Sequence, residues 1–204
     1  MVFSDSFLPP GLTYRHGVVG AGKTAGLLAF YYELRAAAPD GSVILTKPSI
    51  DTRHGGLIAS RNGRSAAPSF LLGTGPEYAT AATFYSKLRG ACASAVAVLV
   101  DEAQFLLPIH VEALRELTHD SIPVVCYGLR TDFQGRAFPG SLRLFELADR
   151  VEQIHAACKC GSLAAFNAHV AGDAAPKLQV QIGGDELFRG ACHACWNRSG
   201  APLA

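Results

Sequence analysis

The sequence predicts an α/β fold: a parallel sheet of the P-loop NTPase type, with helices packed on both faces. Three observations carry that expectation. Short apolar runs at 42–46, 95–100 and 122–127 alternate with stretches whose apolar residues recur at helical spacing. Such runs lack the in–out alternation of a half-exposed strand, so both faces must be covered. A glycine-rich turn at 17–24 joins the first strand to the first helix, and the strand Ala95–Val100 ends in two carboxylates, Asp101 and Glu102.

Residues 12–19 read as the first strand, less apolar than the others because of Arg15 and His16. Residues 24–37 read as a helix with Leu27, Leu28, Tyr31 and Leu34 along one stripe. Pro39, Asp40 and Gly41 make a turn, and the strand at 42–46 ends at Lys47-Pro48. Residues 51–69 are rich in Gly, Ser, Arg and Asn and lack periodicity, which predicts a mobile loop of functional length. Helices are expected at 77–90 and at 108–118, the second started by Pro108. Beyond residue 151 helical signals weaken, cysteines come in pairs, and Gly183-Gly184 interrupts a short strand at 178–182. A boundary near residue 152 therefore separates a main α/β domain, 1–152, from a smaller segment, 153–204.

With 49% hydrophobic and 17% charged residues, a chain of 204 residues can bury a core without disulfides or a partner. A net charge of +1 argues against a broad basic surface for nucleic acid or anionic membrane. Residues 1–11 lack the basic start and apolar run of a secretory signal. The run Ala95–Val100 stops at Asp101, far short of the roughly 18 apolar residues of a membrane span. The chain reads as soluble and cytoplasmic.

Gly17-Val18-Val19-Gly20-Ala21-Gly22-Lys23-Thr24 matches G-x-x-x-x-G-K-[ST] in full, between strand and helix. The glycines let backbone N–H groups of Gly20, Ala21 and Gly22 curl around phosphate oxygens, and the helix adds its positive end. Lys23 would reach the β- and γ-phosphates of ATP, and Thr24 would hold Mg2+. Asp101, closing an apolar strand, would hold the same ion. Glu102 beside it stands where a general base is wanted. It would take a proton from an attacking hydroxyl in a kinase, or position a water in an ATPase; spacing alone leaves both open.

Six cysteines divide into two kinds. Cys92 and Cys126 stand alone in apolar stretches and read as buried small hydrophobes. Cys158 and Cys160 form a C-x-C pair, and Cys192 and Cys195 a C-x-x-C pair. In a cytosolic chain such pairs point to metal before disulfide, and a tetrahedral zinc site of four thiolates fits best. Structural zinc would contribute on the order of 10 kcal/mol to folding of that segment. His193 is a competing ligand, and free thiols or a redox pair are the alternatives. A further stretch, 127–133, followed by Phe138-Pro139-Gly140-Ser141, lies after the next strand, where aromatics and Leu129 could wall a flat base; on this motif alone a turn with ordinary packing aromatics is the stronger reading.

These elements, in this order, resemble the zinc-containing, tetrameric thymidine kinases from about residue 12 to residue 195. The resemblance rests on the P-loop, Asp51-Thr52-Arg53, Val100-Asp101-Glu102-Ala103-Gln104-Phe105, Tyr127 through Phe133, Phe138 to Ser141, Cys160-Gly161, and Ile182-Gly183-Gly184 leading to Cys192 and Cys195. It implies phosphorylation of the thymidine 5′-hydroxyl by ATP, with Glu102 as base and Arg53 at the transferring phosphoryl group. Gln104 would belong to the nucleotide site. Phe105, Leu129 and Phe133 would enclose the thymine ring. A lasso over about 162–188 would cover the nucleoside, with Gln179, Val180, Gln181 and Ile182 bonding the base edge and Phe188 near its end. The resemblance also implies a homotetramer.

Three positions depart from the family pattern. Val19 stands where Met is common, Phe188 where Tyr is usual, and His169 near a frequent Arg. A methylene-sized change at Val19 is worth about 1–3 kcal/mol in discrimination. A related kinase with altered base preference is therefore one alternative, and a P-loop ATPase or nucleotide sensor of the same fold is another.

Overall fold

The computed structural model describes residues 8–39, 41–73, 80–170 and 187–199. Its centre is a six-stranded, wholly parallel sheet. In chain order the strands are β1 (Leu12–His16), β2 (Ser42–Pro48), β5 (Phe70–Leu72), β6 (Ala95–Val100), β7 (Val124–Gly128) and β8 (Arg150–Gln153), and across the sheet they run β5-β2-β6-β7-β1-β8. A two-residue ribbon, β3 (Ile58–Ala59) with β4 (Ser65–Ala66), projects from the loop after β2. The helices of the main layer are α1 (Lys23–Ala37), α2 (Ala81–Ala91), α3 (Pro108–Leu117) and α4 (Pro139–Leu147).

Alternation within each strand feeds two cores. Ile44, Val98, Val100, Val124 and Cys126 point to one face, against Phe84 and Leu88 of α2, Val111, Leu114 and Leu117 of α3, and Leu144 of α4. Val43, Leu45, Leu99, Val125 and Tyr127 point to the other, against Leu27, Leu28 and Tyr31 of α1. The two layers explain why these strands read as continuous apolar runs. Cys92 and Cys126 are fully buried in the first core.

Several elements differ from the sequence expectation. β1 ends at His16 rather than at residue 19: the Gly17 N–H makes the last ladder bond, to Gly128 O (3.2 Å), and the chain then turns, with Ala21 N–H bonding Val18 O (3.1 Å). β2 continues through Lys47 and Pro48, which pair with Leu71 and Leu72. Residues 51–69, which the sequence predicts as a loop without periodicity, hold a 3-10 turn (Arg53–Gly56) and the β3–β4 ribbon. α2 begins at Ala81 behind a Thr80 cap whose hydroxyl accepts from Thr83 N–H, and 77–79 lie outside the described residues. α4 was not anticipated: Pro139 starts it. A Cβ at Gly140 would lie 2.4 Å from the carbonyl oxygen of Leu106, so only glycine lets α4 approach the loop after β6.

The C-terminal part adds an antiparallel pair, β9 (Phe166–His169) with β10 (Phe188–Ala191), and a short helix, α5 (His193–Arg198). Trp196 is fully buried, stacks on Phe166 (4.6 Å) and donates from its indole N–H to Phe133 O (2.8 Å). A small apolar cluster of Val18, Cys158, Ala164, Ala168, Ala191 and Trp196 joins this segment to the turn after β1. Among the described residues no helix is long and apolar enough to cross a membrane.

Candidate active site

Three adjacent strands, β1, β6 and β7, end side by side and send their following loops into one cavity of about 650 Å³. Ligands of parallel sheets bind at this edge, and the volume suits a small-molecule site. Its lining includes Gly20, Gly22, Lys23 and Thr24 of the glycine-rich turn, and Phe105, Leu129, Phe133, Phe138 and Phe188. Asp101, Glu102 and Arg53 line the same cavity.

The glycine-rich turn takes its shape from local geometry. Gly22 turns through φ 80 and α1 starts at Lys23 without a side-chain cap, so its first N–H groups have no helical partner, the feature that suits an anion. Gly20 and Gly22 line the cavity, whereas the Gly17 N–H bonds Gly128 O (3.2 Å) and the Ala21 N–H bonds Val18 O (3.1 Å), so these two expected donors are taken up within the fold. Lys23 is buried and donates to Val18 O (2.9 Å), curled along its own loop. The Thr24 hydroxyl lies 3.1 Å from Asp101 Oδ2 and 3.4 Å from Oδ1. Burial, and then the neighbouring Glu102 carboxylate, push the Asp101 carboxyl well above the usual range. A dication would reverse that shift, and a hydroxyl beside a carboxylate is the hard-oxygen donor set that suits Mg2+.

Glu102 adopts φ 51, a left-handed conformation costing a non-glycine residue roughly 1–3 kcal/mol. Two contacts offset that cost. Arg53 Nη2 bonds Glu102 Oε1 (2.7 Å), and Gln104 Nε2 donates to Oε2 (2.5 Å). Gln104 is buried, and its Oε1 accepts from Leu129 N–H (3.0 Å). The structure thus places Gln104 as a brace between Glu102 and the β7 loop. Arg53 is also gripped at Nε by Asp51 Oδ1 (2.6 Å). Burial works against the guanidinium charge, but Glu102 and Asp51 outweigh it and raise its pKa.

Among the aromatic side chains Phe105 meets Phe138 edge-on (5.9 Å), and Phe133 stacks on Phe188 (6.0 Å) with His169 against both rings. Leu129 O accepts from Tyr14 OH (2.7 Å) and Ser141 Oγ (2.6 Å), which fixes that loop. Gln179, Val180, Gln181 and Ile182 lie outside the described residues, as does 171–186 of the expected lasso.

The four cysteines converge: their sulfurs all lie within 4.8 Å of one another, and Cys160 and Cys192 are 3.6 Å apart. A zinc tetrahedron with bonds of about 2.3 Å has edges of about 3.8 Å, so the set fits zinc, whereas a disulfide needs about 2.05 Å. Thiol protons crowd there. The backbone N–H and hydroxyl of Ser162 lower Cys160 to about 6, while Cys192 and Cys158 raise Cys195 to about 11. A dication relieves that crowding by taking all four as thiolates. His193 lies outside this set; its Nε2 is 3.4 Å from Asn197 Nδ2.

The thymidine kinase family profile matches residues 12–196. The chain belongs to the thymidine kinase family. Among its curated relatives is a thymidine kinase of Chromobacterium violaceum, 38% identical over 91% of this chain and 97% of the relative. A thymidine kinase of Encephalitozoon cuniculi is 38% identical over 87% of this chain and 82% of its own. That of Enterobacteria phage T4 is 35% identical over 91% and 95%. Among solved structures, the Pif1 helicase of Candida albicans overlaps at a TM-score of 0.44 with 16% identity, covering 76% of this chain and 40% of that one.

Sequence reasoning missed two side chains that organise this thymidine kinase fold. Lys47 is 1% exposed and reaches Asp51, to which the sequence assigned no role. Asn167 is buried, accepts from Val19 N–H (2.8 Å) and donates to Thr131 O (2.7 Å). Nothing in its sequence neighbourhood marks it. Lys47 carried one faint signal, a cation at the end of an otherwise apolar strand.

Proposed function

We propose that the chain transfers the γ-phosphoryl group of ATP to the 5′-hydroxyl of thymidine. One observation carries the reading: the glycine-rich turn with Lys23 and Thr24, the Glu102 carboxylate and the aromatic side chains all line the same cavity. Glu102 accepts the hydroxyl proton, the 5′-oxygen forms its bond to phosphorus, and the bond to the ADP oxygen breaks. Lys23 and Arg53 face the phosphoryl oxygens and lower the cost of charge shifting towards ADP. Mg2+, held by Thr24 and Asp101, would supply charge neutralisation at the phosphates. Phe105, Leu129, Phe133 and Phe188 orient the base so that the 5′-hydroxyl meets Glu102, a gain of position rather than of chemistry. Family membership supports a cytoplasmic homotetramer, with structural zinc on the four cysteines.

ATP consumption measured with and without thymidine, alongside thymidine monophosphate, tests this. Thymidine-dependent ADP with equal monophosphate is expected; ADP formed equally without thymidine, and no monophosphate, would make Glu102 a water-positioning residue. Glu102→Gln should lower kcat by about 10²–10⁴-fold with ATP binding little changed. A second reading, altered base preference, is favoured by Phe188, whose ring is packed on Phe133 and offers no hydroxyl. Competition among thymidine, deoxyuridine and deoxycytidine separates the two.

A further inference from the structure

Four side chains of alternating charge, Lys47, Asp51, Arg53 and Glu102, run in contact from the end of β2 to the end of β6. Lys47 is their buried terminus. Its three N–H donors face three acceptors: Asp51 Oδ2 (3.1 Å), Leu57 O (3.0 Å) and Arg53 O (3.5 Å). An ammonium this buried is rare unless paired, and here the pairing is complete. Two of the acceptors are backbone carbonyls of the loop that carries Arg53. Lys47 therefore ties that loop to the sheet as well as neutralising Asp51.

Asp51 spends its two oxygens differently. Oδ2 takes Lys47, while Oδ1 takes Arg53 Nε (2.6 Å) and lies 3.4 Å from the Arg53 backbone N–H. With Nε held by Asp51, the orientation of the planar guanidinium is fixed, and its Nη2 meets Glu102 in the cavity wall. Burial works against the Asp51 charge, but Arg53 and Lys47 outweigh it and keep its carboxyl below the usual range. The arrangement holds one cation between two carboxylates, Asp51 at Nε and Glu102 at Nη2.

We propose that Lys47 is a positioning residue for phosphoryl transfer: through Asp51 and the loop carbonyls it sets the direction of Arg53, and so the placement of Glu102. This rests on the roles given to Arg53 and Glu102 above. A side chain that touches no substrate then governs kcat, because misplacement of about 1 Å at the reacting centre can cost about 10²-fold.

The test is a double-mutant cycle in the full chain, with Lys47→Met, Arg53→Ala and the pair, reading kcat and thymidine KM separately alongside a circular-dichroism melt. Lys47→Met should lower kcat by about 10–100-fold with thymidine KM within about threefold. In the Arg53→Ala background it should lower kcat no further, since the group it aims is gone. Independent, multiplying losses would overturn the proposal, as would a folded Lys47→Met protein with unchanged kcat. Full kcat in Arg53→Ala alone would overturn the role of Arg53 and the proposal with it; loss in Arg53→Ala without loss in Lys47→Met sinks only the proposal. Should Lys47→Met fail to fold, Asp51→Asn takes its place in the same cycle, with the same expectation and the same refuting outcomes.

Discussion

Asn167→Ala would report how far the C-terminal segment supports the phosphate cradle. Asn167 comes from β9 and reaches two separate loops, accepting from Val19 in the P-loop and donating to Thr131 in the loop after β7. The same seam is closed by Gly190, where a Cβ would lie 2.7 Å from Val18 Cγ2 and 3.3 Å from Val19 O. Truncation leaves one N–H and one C=O, both half-buried, without these partners. At about 1 kcal/mol each, plus a small void, the loss is about 2–3 kcal/mol. For a chain of this size that lowers Tm by about 4–12 °C. The ATP KM should rise more than the thymidine KM, because the released Val19 N–H adjoins Gly20 of the cradle. Differential scanning fluorimetry and steady-state kinetics measure both. Asn167→Asp, equal in shape but with an acceptor facing Thr131 O, should behave alike. A Tm within about 1 °C of the parent, with both KM values unchanged, would refute the bridging argument.

Two further outcomes follow from the geometry. Purified protein should bind one zinc per chain at the four cysteines, and Cys192→Ser or a strong chelator should abolish it and lower Tm, read by metal analysis and calorimetry; retained zinc in Cys192→Ser would refute the four-thiolate assignment. His110 is buried, stacks on Phe84 (4.3 Å) and accepts Leu107 N–H at Nδ1 (3.2 Å), and burial lowers its pKa to about 4. The unfolded chain therefore binds this proton first as pH falls, so stability is lost between about 6.5 and 4, by about 3 kcal/mol. Asp101, raised in the fold, titrates with the opposite sign, so the measured quantity is the difference between parent and His110→Leu in urea unfolding. A difference independent of pH would refute the assignment.

Features that the chain builds from sequence neighbours were legible in the residues alone. The cradle at 17–24 is contiguous, and its backbone donors, Lys23 and Thr24 follow from local conformation at a strand-to-helix turn. The strand ending in Asp101 and Glu102 declares itself by an abrupt change of polarity. The cysteine pairs reveal their chemistry because no other residue type makes a soft tetrahedral site so economically. Helix α4 was hidden because Pro139 and Gly140 read as a turn, and its apolar face gains meaning only against α3 and the loop after β6. Strand order, too, is a matter of packing. It puts β6 beside β2, and only then can Arg53 reach Glu102 and Lys47 stand behind Asp51. Asn167 likewise becomes a bridge only when β9 lies against two loops from opposite parts of the chain. Long-range polar contacts carry no periodic or local conformational trace, so the tertiary structure alone decided which buried charges and amides hold the site together.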